Sequence, residues 1–190
     1  ALLTGPRPVA AIIAPSFPAE FIDLDSPSVV GTFRALGFSS VHEVAFGAEL
    51  VALEYRRLVA RHTDQLWIAT TCPAVIGYVE RYHPDLTSSL APIVSPMIAI
   101  ARLLRLEDPG RPVVFIGPCI AKKRETVSPD LAGEVDYALT FAEARTMIER
   151  HGIAPATVQP SAFDPPPSRE GGLFPISGGM LQPAGIQEDL

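Results

Sequence analysis

Two cysteines are the only thiols in this chain of 190 residues. They are too few for a disulfide scaffold at this length, and the protein is expected to be intracellular and cytoplasmic. His42, His62, His83 and His151 lack metal-site spacing, and a closed structural zinc site wants four ligands. An excess of basic residues is also missing: the formal net charge is −6, which argues against a nucleic-acid or anionic-membrane partner. No basic segment precedes a short apolar core at the start, so no signal peptide is expected. The uncharged stretch between Asp85 and Arg102 is shorter than the roughly 18–20 residues of a membrane span, and it holds Pro92 and Pro96. A second such stretch, residues 171–187, is rich in glycine and proline and makes a poor helix. Neither is read as membrane, and no internal repeat is found.

What the chain does have is apolar residues, 47% of the total, which predicts a packed interior. Its length suits one domain or one lobe of a larger one. Residues 9–14 form an apolar run stopped by Pro15, as a buried strand would be. Asp25-Ser26-Pro27 opens a short helix that Gly37 closes. Residues 40–46 suggest a second strand. Residues 49–61 read as an amphipathic helix with Val51, Tyr55, Leu58 and Val59 on one face and Glu54, Arg57 and Arg61 on the other. A third strand is expected at residues 66–70, then a helix from Pro73 to about Tyr82, stopped by His83-Pro84. A helix at 96–106, strands at 112–116 and 138–140, and a helix at 141–151 complete the pattern. This alternation predicts an α/β lobe over residues 1–153 with a mostly parallel sheet flanked by helices. Residues 154–190 are Pro/Gly-rich and irregular; Pro165-Pro166-Pro167 reads as an extended or mobile connector to a further lobe.

Cys72 and Cys119 sit in similar settings, each expected to follow a strand and each flanked by a proline. Loops after parallel strands gather at one edge of the sheet, so the two thiols are expected to converge. The run Cys119-Ile120-Ala121-Lys122-Lys123-Arg124-Glu125 places cations and a carboxylate within about two helical turns of the thiol. Cationic neighbours and a helix N-terminus are surroundings that stabilise a thiolate, the form a metal site or a nucleophile needs. A lone cysteine is often only a small buried hydrophobe, and a Lys-Lys-Arg run is often a solvated face. Two thiols are also too few for a four-iron cluster, which wants four.

Thr70-Thr71-Cys72-Pro73, with Glu80-Arg81-Tyr82-His83-Pro84-Asp85-Leu86 after it, resembles the first cysteine motif of iron-only ([FeFe]) hydrogenases. Ser95-Pro96 falls where that family has a serine-proline step, and Pro118-Cys119-Ile120-Ala121-Lys122-Lys123-Arg124-Glu125 resembles its second motif, Pro-Cys-x-x-Lys-x-x-Glu. Ala14-Pro15-Ser16 and Ser177-Gly178-Gly179-Met180 resemble further elements in the same order. The resemblance implies that Cys72 and Cys119 ligate a four-iron (4Fe-4S) cluster. Ala14, Pro15, Ser16, Ser95, Lys122 and Glu125 would lie around a two-iron unit carrying CO and cyanide, with Lys122 toward a cyanide and Glu125 supporting it.

The family's third motif, with two more cysteines, should follow Met180, and the chain is read as truncated before it. Hydrogen-forming members relay protons through a cysteine where this chain has Thr71; Tyr55 and Leu58 stand for glutamates, Ala91 for a serine and Gly117 for a methionine. Leu58 and Ala91 have no proton to pass, and a tyrosine or threonine hydroxyl does not titrate near neutrality. The pattern resembles a divergent, sensor-like branch, which implies ferredoxin-type and signalling domains in the same protein, or an electron carrier, as partners. Three readings follow: an iron–sulfur domain for redox or hydrogen sensing or electron transfer, a working hydrogenase with an altered proton path, or a metal-free α/β interaction domain.

Overall fold

The computed structural model describes residues 2–186. The elements are β1 (Ala10–Ile13), α1 (Phe17–Glu20), α2 (Ser26–Ala35), β2 (Ser40–Glu43), α3 (Val44–Arg61), α4 (Pro73–Tyr82), α5 (Pro96–Glu107), β3 (Val113–Gly117), α6 (Ala121–Thr126), β4 (Tyr137–Thr140), α7 (Phe141–Arg150) and α8 (Leu181–Ala184). The four strands form one sheet in the order β2-β1-β3-β4, every pair parallel. This is the expected α/β architecture. The two central strands, β1 and β3, are buried along their whole length, as a parallel sheet covered by helices on both faces requires.

Local chemistry sets the helix starts. Asp25 caps α2 by accepting a hydrogen bond from the Ser28 amide at 2.9 Å, and Pro27 occupies the first turn, where a missing N–H costs nothing. Thr140 and Glu143 cap α7 reciprocally. Pro73 and Pro96 open α4 and α5 in the same way. The main core lies between the sheet and these helices, around Ile12, Ile13, Phe33, Ile98 and Ile116. A smaller apolar cluster forms around Val51, Tyr55 and Ala91, with Leu58, Trp67, Ala69 and Phe174 against it.

Three expectations need correction. The third strand at 66–70 does not enter the sheet; only a single bridge, Ile68 to Leu90, forms there. Its residues lack a partner strand beside the sheet, so apolar character alone could not make them one. The second strand stops at Glu43, and the helix expected from residue 49 already begins at Val44, because Val44, Ala45, Ala48 and Ala52 give it a buried face. Val59, placed by periodicity on that face, is exposed near the end of α3. Of the two forms open to the proline-rich segment, extended or mobile, hydrogen bonds along β2 favour the first. The Asp164 amide donates to Val41 O at 2.8 Å, and the Asp164 carboxylate accepts from the Val41 amide and from Arg34. The Pro165 carbonyl meets His42 Nδ1 at 3.1 Å. The segment thus closes the otherwise open edge of β2.

Candidate functional site

β1 and β3 run side by side with Ile13 opposite Ile116, so the loops after them leave the sheet together. The Ala14 amide donates to Ile116 O at 2.8 Å and holds this pairing to its last residue. The bends beyond both line one cavity of about 360 Å³, with Ala14, Pro15 and Ser16 after β1 and Pro118 and Cys119 after β3. Gly117 is needed for this approach, because a Cβ there would lie 2.4 Å from Phe115 Cζ and 2.9 Å from Ala14 Cβ. The Phe115 ring occupies the space that a side chain at 117 would take, and it forms part of the cavity wall.

Lys122 brings the second cysteine corner to the first. Its amide donates to Cys119 O at 3.2 Å in the first turn of α6, and its Nζ reaches across to donate to Thr71 O at 3.2 Å. The same ammonium donates to Glu125 Oε2 at 2.6 Å, and both side chains of that pair are nearly buried. An ammonium has three N–H donors, so one remains for the cavity that Lys122 lines. The neighbouring Lys123 turns the other way, to Glu143 at the start of α7. That hydrogen bond, with those from the Thr140 amide and hydroxyl, holds the Glu143 carboxyl well below its ordinary value, at about 2.

The sequence-predicted residues divide as follows. Ala14, Pro15, Ser16, Cys119 and Lys122 line the cavity, and Glu125 lies behind Lys122. Cys72 does not line it, although its neighbour Thr71 does; Cys72 caps α4, its carbonyl accepting from the Val75 and Ile76 amides. Ser95 is also absent from the wall, with Pro96 and Met97 in its place. Its hydroxyl is buried and has no hydrogen-bond partner among the described residues. Phe174 and Pro175 close the cavity from the C-terminal segment, and sequence reasoning missed them. A Phe-Pro pair in an irregular tail gives no periodic signal of what it will cover.

Both thiols are partly exposed and free. Among the described residues no group of three or more His, Cys, Asp or Glu is placed to hold a metal ion. Two free thiols are half the number of ligands that a four-iron cluster wants.

Residues 7–189 match the family described as the iron only hydrogenase large subunit, C-terminal domain. The chain belongs to this family. This hydrogenase-family chain is 27% identical to the NADP-reducing hydrogenase subunit HndD of Solidesulfovibrio fructosivorans, over 82% of this chain and 31% of that protein. It is 28% identical to the periplasmic [Fe] hydrogenase large subunit of Nitratidesulfovibrio vulgaris, over 82% of this chain and 42% of that one. It is also 27% identical to the cytosolic Fe-S cluster assembly factor narfl of Xenopus tropicalis, over 70% of this chain and 33% of the relative. It thus spans a third to two fifths of the length of these relatives. An [FeFe]-hydrogenase structure described in connection with oxygen inactivation superposes with TM-score 0.77 at 22% identity, covering 85% of this chain and 48% of the other. An apo [FeFe]-hydrogenase variant from Chlamydomonas reinhardtii gives 0.74 at 23% identity, covering 86% and 49%. These likenesses show the fold. In the hydrogenase-like chain no helix of the described residues is long and apolar enough to cross a membrane.

Proposed function

We propose that this domain supplies two thiolate ligands, Cys72 and Cys119, to a four-iron cluster completed by other ligands, and serves redox or hydrogen sensing rather than hydrogen turnover. The observation that carries the reading is the Lys122 ammonium, bonded at once to Thr71 O beside the first cysteine and to Glu125 in the helix after the second. A nearly buried side chain that ties two distant cysteine corners together is what a shared site between them requires. A bound cluster supplies one-electron transfer. The chain's own residues orient the thiols and offer the third Lys122 donor to an anionic ligand of a two-iron unit. They also wall the cavity with Pro15, Pro118, Met97 and Phe174.

The argument against turnover lies in the proton path. The Tyr55 and Thr70 hydroxyls are buried and bonded to each other at 3.1 Å, and the network ends on the Ala91 and Ile93 carbonyls. Leu58 and Ala91 pack as core. A chain of hydroxyls that ends on backbone carbonyls delivers no proton to solvent. Partners in this reading are a ferredoxin-type domain or carrier and signalling domains of the same cytoplasmic protein.

Anaerobic reconstitution with iron and sulfide, in the native full-length context, tests the proposal. About four or more irons per chain are expected, since one cubane needs four, with a drop of about four on Cys72→Ala or Cys119→Ala. Iron-free protein after reconstitution sinks the reading and favours a metal-free interaction domain. Infrared bands of CO and cyanide together with hydrogen evolution would instead establish a working hydrogenase with an altered proton path.

A further inference from the structure

Cys119 and Cys72 are secured by different means. Cys119 stands two residues beyond β3, whose ladder to β1 and β4 fixes where it emerges. Cys72 has no strand behind it. The segment before it lies beside residues 89–93 through two backbone bonds, the Ile68 amide to Ser89 O at 2.8 Å and the Ala91 amide to Ile68 O at 2.9 Å. From there to the cysteine, side chains take over: two hydroxyls hold Thr70, and the Lys122 ammonium holds Thr71 O. The Thr70 amide donates to Tyr55 Oη at 2.8 Å, so a residue of α3 replaces the missing neighbour strand. Thr70 Oγ1 lies 2.9 Å from Ala91 O and 2.7 Å from Ile93 O, and carbonyls only accept. Its single proton is committed to them, so the Tyr55 hydroxyl must donate to Thr70 Oγ1. Every proton in the clasp is assigned, and the Tyr55 side chain is 3% exposed.

We infer that Tyr55, acting through Thr70, is a positioning residue for the Cys72 corner, doing with one phenol what β-ladder bonds do for Cys119. This rests on the reading of Cys72 as a cluster ligand. Tyr55→Phe keeps the ring and its packing but leaves the Thr70 amide buried without an acceptor. Thr70→Val breaks the ties to Ala91 and Ile93, while Thr70→Ser preserves them.

The test uses the cluster-free chain, so it stays readable whether or not iron binds. Alkylation of each cysteine by iodoacetamide is followed by mass spectrometry, with Cys119 as internal control. In Tyr55→Phe the Cys72 rate should change by at least about tenfold, the factor that corresponds to one lost buried hydrogen bond. Cys119 should stay as in the parent chain, and Thr70→Ser should match the parent while Thr70→Val follows Tyr55→Phe. Equal changes at both cysteines, or none at Cys72, overturn the inference. If Tyr55→Phe does not fold, the Thr70→Val and Thr70→Ser pair decides by the same criterion. In reconstituted full-length protein, Tyr55→Phe should also shift the electron paramagnetic resonance of the reduced cluster. Failure of the parent to take up iron sinks the proposed function but leaves the alkylation result standing.

Discussion

Gly117 shows how one residue type follows from its neighbour's ring. Phe115 and Gly117 point to the same face of β3, and the phenyl fills the position where a longer side chain would go. Gly117→Met should therefore overpack the strand end and cost about 1–3 kcal/mol. Joining it to Phe115→Ala should return most of that, as thermal unfolding of the single and double variants will read. Lys122 poses the opposite case, a buried charge that depends on its partner. Lys122→Met strands the Glu125 carboxylate, whose side chain is 8% exposed, and should destabilise by about 3 kcal/mol in denaturant unfolding. Lys122→Met with Glu125→Leu should recover most of the loss, since an apolar pair of similar volume carries no desolvation cost. Lys122 and Glu125 were legible in the sequence as a motif. That the ammonium also holds Thr71 O was not, because 51 residues separate them.

At the scale of elements, caps and breakers were the readable signals. The spans of α2, α4, α5 and α7 follow from Asp25, Pro73, Pro96 and Thr140, each acting within its own first turn. The start of α7 also carries a pH response. The Glu143 carboxyl is held at about 2 against an ordinary 4.5, first by the Lys123 hydrogen bond and then by Thr140. A depressed carboxyl favours the ionised folded state, so its contribution is complete above pH 4.5 and is lost as pH falls toward about 2. The side chain is 45% exposed, so at most about 1 kcal/mol is at stake, as for an exposed ion pair. Glu143→Gln should be less stable than the parent at neutral pH and nearly equal to it at the acid end of that window. Unfolding curves taken across the window check this. The expected strand at 66–70 failed for a reason local chemistry cannot supply: a strand needs a neighbour strand, and here only one bridge forms, between Ile68 and Leu90.

For the whole molecule, the C-terminal segment matters more than its composition suggests. After closing the β2 edge at Asp164 it crosses α3, where Glu49 Oε1 accepts from the amides of Arg169, Glu170 and Gly171. Glu43 accepts from the Ser168 amide at 3.2 Å. Gly171 lies so close to Ala45 O that a Cβ there would come within 1.8 Å of it. This fastening carries Phe174 and Pro175 over the cavity. Glu49→Ala should raise amide exchange at residues 169–171 by about tenfold, since each bond to a carboxylate is stronger than a neutral one, and should leave exchange in β1 and β3 unchanged. Hydrogen exchange followed by mass spectrometry separates the two regions.

By itself the sequence determined the α/β alternation, the starts of α2, α4, α5 and α7, the two thiol corners and the family, because periodicity, caps and short motifs act between near neighbours. Tertiary structure decided the rest. It replaced a strand with the Tyr55–Thr70 clasp, turned a proline run into an edge cover and placed Phe174 over the cavity. Each of these depends on hydrogen bonds or packing between residues far apart in the chain, and only the folded backbone determines which distant donor meets which acceptor.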